Sequence, residues 1–198
     1  MNVNRIHLRL VLFFLLLLPA RTFAQSAQTA TVTDVTQGLH KWIKGMNTNV
    51  DKYFSQDRGA ELYDRLEELK FGLSGYLKTR KTLSDSLIRH NAAPGKRDNN
   101  ALESLKIKMS TVMAQMRGIS NLVSEDLRAE GDKLNDEIYN AIYSEQPRFL
   151  SHLEAFLAGM EVSKKDLAVE SVAAYDRLTE SVSLITDLQG KLNRKLKK

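Results

Sequence analysis

Between residues 35 and 196 apolar side chains return at steps of three and four, and that spacing leaves the chain few folds to choose from. Residues three and four apart share one face of an α-helix, and such a stripe escapes water by lying against another helix. Sustained alternation, the mark of a half-buried strand, is missing, so no strands are expected.

The first stripe runs through Val35, Leu39, Trp42, Ile43, Met46, Val50, Tyr53 and Phe54. A second, through Leu62, Leu66, Leu69, Leu73, Tyr76, Leu77, Leu83 and Leu87, follows residues 55–59, where Asp57 offers a cap and Gly59 weakens a continuous helix. The polar stretch 91–99, with Pro94 and Gly95, reads as a loop. Asn100 with Glu103 resembles a capping box, and the stripe from Leu102 to Ile142 then predicts the longest helix, spanning ~60 Å at 1.5 Å per residue. Pro147 ends it and is placed to open a short helix through Phe149, Leu150, Leu153, Phe156, Leu157 and Met160. Gly159 closes that helix, Ser163 and Asp166 cap the next, and Val162 is set to staple against Leu167, the first of the apolar residues leading to Leu196. The fold expected is all-α: an elongated up-and-down antiparallel helical bundle of four main helices plus one short helix. A three-helix, spectrin-like bundle is the alternative if the first two helices are continuous.

Residues 1–24 read as a cleaved signal peptide. Arg5 and Arg9 precede nine apolar residues, 10–18, and Thr22 and Ala24 stand at the −3 and −1 positions. An apolar run of that length is far short of the ~20 residues a membrane helix needs. Residues 25–32 form a small, polar lead-in expected to be flexible, and residues 33–198 a single helical domain. The chain holds no cysteine, and no Asn-X-Ser/Thr acceptor follows the leader. With export, this points to a bacterial protein of the periplasm or one secreted outright.

The formal charge of +5 misleads. Arg5, Arg9 and Arg21 leave with the leader, so 26 basic residues face 24 acidic ones, a balance of +2. Five of the 26 are Lys191, Arg194, Lys195, Lys197 and Lys198, which leaves 21 basic against 24 acidic residues in the body. Such a body has no basic face for nucleic acid. The terminal cluster exceeds what a helix C-terminus needs to offset its unpaired carbonyls, and it is the candidate surface-binding site, suited to an anionic partner.

Sites for chemistry are sparse. His40, His90 and His152 form no pair at i, i+3 or i+4 that would put two ligands on one face. Met109, Met113 and Met116 share a helical face and offer soft ligands to Cu(I) or an axial ligand to haem, although gap-filling in a core explains them at no extra cost and is the preferred reading. Gly72-Leu73-Ser74-Gly75 lies mid-helix, without the strand-to-turn context of a nucleophile. The paired carboxylates Glu67-Glu68, Glu125-Asp126 and Asp136-Glu137 belong to hydrated faces. The expectation is therefore a non-enzymatic bundle with no assigned cofactor, acting through a protein or an anionic envelope surface. A haem- or Cu(I)-carrying bundle is the alternative.

Overall fold

A computed structural model describes residues 31–50, 56–90 and 97–197. The leader, most of the lead-in, Tyr53, Phe54, Ser55, residues 91–96 of the expected loop and Lys198 lie outside the described residues. Among the described residues stand helices α1 (Val35–Thr48), α2 (Gln56–Arg89), α3 (Asn99–Ser120), α4 (Glu125–Tyr143), α5 (His152–Leu157) and α6 (Lys164–Leu196). Two short strands, β1 (Thr31–Val32) and β2 (Arg148–Phe149), accompany them. The protein is an all-α bundle.

Neighbouring helices follow the order α1, α4, α3, α2, α6 and back to α1, a closed ring around one core. Within it α2 and α6 run antiparallel, with Gly59 beside Leu196 at one end and Arg80 beside Glu170 towards the other. The α2/α3 and α1/α4 pairs are antiparallel too, as Gly118 beside Arg65 with Gly75 beside Lys108, and Gly45 beside Leu127 with Gly38 beside Leu134, attest. A ring with an odd number of members cannot alternate direction throughout. The parallel pair is α1 and α6, where Arg177 holds Asp34 and Lys191 holds Asn47.

Several expectations need correction, among them that no strand would form, since β1 and β2 pair. The third helix is two, α3 and α4, parted at residues 121–124. Ser124 caps α4 by accepting from the Leu127 N–H, and Glu125 and Asp126 in the first turn suit its positive end. The break lets Arg128 donate to the Ser120 carbonyl and Arg58 to that of Asn121, so the end of α3 is satisfied and the apolar stripe turns back on itself. The longest helix is instead α2, 34 residues and therefore ~51 Å.

The cap of α3 is Asp98, which accepts from the Ala101 N–H at 3.0 Å, not Asn100. Pro147 opens no helix: β2 follows it and pairs in parallel with β1, so α5 starts only at His152, capped by Ser151. That pairing also places Thr31 and Val32 in ordered strand rather than a flexible lead-in. It docks the start of α1 against the entry to α5, because the Thr33 N–H donates to the Phe149 carbonyl at 2.8 Å. At residues 55–59, the chain is already helical from Gln56, so Asp57 and Gly59 lie within α2 instead of before it.

The junction before α6 forms as its residues imply. Gly159 adopts φ 86°, a conformation costly for other residues. The Met160 N–H closes on the Ala155 carbonyl, and Ser163 caps α6 by accepting from the Asp166 N–H at 3.0 Å. Val162 and Leu167 are both buried.

Candidate functional site

The basic end of α6 is built on its contact with α1. Being parallel neighbours, the two helices finish at the same end of the bundle. There Lys191 Nζ donates to the Asn47 carbonyl at 3.1 Å and to Asn47 Oδ1 at 2.7 Å, satisfying the last turn of α1. Asp187 pairs with the same ammonium at 3.1 Å; hydrogen bonds from Lys191 and Asn47 hold its carboxyl below its ordinary range. Lys191, among the predicted cations, is thus committed to structure. With Arg194, Lys195 and Lys197 it lines a shallow depression of about 530 Å³, completed by Asn47, Thr48 and Val50. None of these lining residues is acidic.

The other predicted residues are dispersed or enclosed. Met109, Met113 and Met116 are brought together in the interior of α3, all buried within the hydrophobic core. His40 lies at the α1/α6 seam with Nδ1 3.3 Å from Ser181 Oγ and Nε2 3.7 Å from Glu180. His90 is exposed just past α2, and His152 opens α5. Among the described residues no group of three histidines or carboxylates converges as a metal would require.

A second constellation was not anticipated. On α2 the buried stripe of Leu69, Leu73 and Tyr76 continues with Arg80, 2 % exposed, and Ser84. Arg80 Nη2 donates to Glu170 Oε1 on α6, and Ser171 Oγ donates to Ser84 Oγ at 3.1 Å. Below them Glu154 of α5 is buried, with Oε2 accepting from the Leu150 N–H at 2.9 Å. Burial pushes the Glu154 carboxyl up to about 7, against the pull of the Leu150 N–H, Lys106 and Arg80. Burial also raises the Tyr76 hydroxyl, which stays protonated. Desolvation opposes the Arg80 charge, and Tyr76 and Glu170 overcome it, so the guanidinium is held charged. Among the described residues, Glu154 Oε1 and Glu170 Oε2 are buried without a hydrogen-bond partner, and Tyr76 Oη and Arg80 Nε, although Tyr76 and Arg80 interact, make no well-formed hydrogen bond. An arginine at a core position of a helical stripe is the signal that could have revealed this site. Its carboxylate partners come from two other helices, and no spacing along the chain reports them.

No protein-family model, curated protein or solved structure matches the chain.

Proposed function

We propose that the protein is an exported, non-enzymatic bundle that holds to an anionic surface of the cell envelope through the basic end of α6. The carrying observation is the depression that Lys191, Arg194, Lys195 and Lys197 share, with no acidic side chain among its described lining residues. Each cation near an anionic surface contributes about 1 kcal/mol, an attraction that salt screens over ~8 Å at physiological ionic strength. Export is supported by the composition of residues 1–24. Among the described residues no helix is long and apolar enough to cross a membrane, which suits attachment from one side.

Sedimentation with phosphatidylglycerol vesicles, phosphatidylcholine vesicles and an acidic polysaccharide tests the reading. Binding to an anionic probe that weakens with salt, and weakens about tenfold or more in Arg194→Glu/Lys197→Glu, is expected. The vesicle and polysaccharide arms tell lipid headgroups from glycan. Equal binding to anionic and neutral vesicles, with none to the polysaccharide, would refute it.

A further inference from the structure

The apolar stripe of α2 turns polar at Arg80 and Ser84 while remaining buried, and α6 answers with Glu170 and Ser171. Stability does not account for this choice. Two ions removed from water incur a desolvation cost that apolar residues of similar volume avoid, so replacing a buried pair is often neutral or stabilising. The pair instead underlies a groove of about 310 Å³ between α2 and α6, within the size range of small-ligand sites. Leu77, Ile88, Val172 and Tyr175 line its apolar walls, and Arg80, Ser84 and Ser171 contribute its polar lining. Ile88, Val172 and Tyr175 are large side chains left exposed, and Val169 extends the patch by one turn of α6. This apolar surface surrounds a guanidinium whose side chain is 3 % exposed and whose Nε–H makes no well-formed hydrogen bond among the described residues.

We infer that the α2/α6 groove binds a small amphipathic carboxylate, its apolar body against Ile88, Val172 and Tyr175 and its carboxylate on the Arg80 guanidinium. The charges of the lining select that class. Arg80 and Lys81 are positive, and Asp85, the one lining carboxylate, is held by Lys81 Nζ at 2.7 Å. Glu170 does not line the groove. A cationic amphiphile would set its head against Arg80 and Lys81, and a neutral one would forgo a charge-assisted hydrogen bond. The arginine fork suits a planar carboxylate, and Ser84 and Ser171 supply further hydroxyls.

Calorimetric titration of the purified protein with decanoate, decanol and decyltrimethylammonium tests the assignment. Decanoate is expected to fill one site, about tenfold or more tighter than the other two probes. Val172→Asp, at an exposed position that leaves the fold intact by circular dichroism, weakens decanoate about tenfold or more. The double variant Arg80→Met/Glu170→Met keeps an apolar groove without leaving a lone buried charge, and it abolishes the preference for decanoate over decanol. Equal affinity for decanoate and decanol overturns the inference, as does indifference to Val172→Asp. Loss of decanoate binding in Arg194→Glu/Lys197→Glu would overturn it too, by placing the ligand at the other end of α6. The two sites are separable, because vesicle binding is expected to survive Val172→Asp.

Discussion

Trp42 and Arg80 are both large side chains buried where helices meet, and they are built on opposite terms. Trp42, 1 % exposed, has one polar atom, and Nε1 donates to the Leu127 carbonyl at 2.8 Å. Gly131 makes room for the ring: a Cβ there would come within 3.0 Å of Nε1 and 3.1 Å of Cε2. Every demand of that contact is met. Around Arg80, among the described residues, a donor on the guanidinium and the Tyr76 hydroxyl make no well-formed hydrogen bond, and one oxygen each of Glu154 and Glu170 is enclosed without a hydrogen-bond partner. Satisfied burial supplies stability, whereas an unpartnered buried polar atom costs about 1–3 kcal/mol. The Trp42 contact between α1 and α4 is therefore a satisfied anchor, whereas the contact of α2 with α5 and α6 around Arg80 leaves buried polar atoms unmatched.

The comparison can be broken at its strong side first. Trp42→Ala removes the ring and leaves the Leu127 carbonyl without its indole donor, and urea unfolding should show a loss of about 3–5 kcal/mol. A loss under about 1 kcal/mol would show that the seam is not the anchor described. Next comes the polar side. Arg80→Met leaves Glu170 without its cation and should lose about 3 kcal/mol, while Arg80→Met/Glu170→Met returns to within about 1 kcal/mol of the parent or exceeds it. If the double variant is as unstable as the single one, the pair is structural after all.

The smallest effect sharpens the contrast through pH. The Glu154 carboxyl titrates near 4.5 in an unfolded chain and near 7 in the folded one, so the unfolded chain releases its proton first as pH rises. Stability is then full below about 4.5, declines between that pH and about 7, and is level above. The decline amounts to on the order of 3 kcal/mol from this group alone. Glu154→Gln keeps a carbonyl for the Leu150 N–H and removes the charge. Its unfolding free energy should match the parent's at pH 4 and exceed it at pH 8. A difference that does not change with pH would mean that Glu154 does not titrate in this window.

Local chemistry was legible wherever it acts within a turn or two. The stripes of α1, α2 and α6 could be read, apart from Val172 and Tyr175, which spacing puts on the α6 stripe and the fold leaves exposed; so could the Gly159 to Leu167 junction, because caps and positive-φ glycines act through neighbours in the chain. Ser124 carried an equally local signal, a cap followed by Glu125 and Asp126. It was overridden because Val123 and Leu127 keep the apolar spacing through the break. Pro147 misled for a related reason: a residue suited to a first helical turn is equally suited to the entry of an edge strand. At the candidate sites, the cations of α6 could be counted, but not that Lys191 closes the end of α1. At Arg80 the charge at a core position of the α2 stripe could be read, but not its partners Glu154 and Glu170, which belong to two other helices.

By itself, then, the order of residues determined that this chain is helical, which faces of its helices are oily, and where α6 begins. Those properties depend on side chains a few positions apart, whose mutual distance the backbone sets. Tertiary structure alone decided that five helices close into a ring with α1 and α6 parallel, that β1 meets β2, and that Arg80 lies between carboxylates of α5 and α6. Oily stripes attract any other oily stripe without direction. Which helices become neighbours is settled only when all of them must be covered at once.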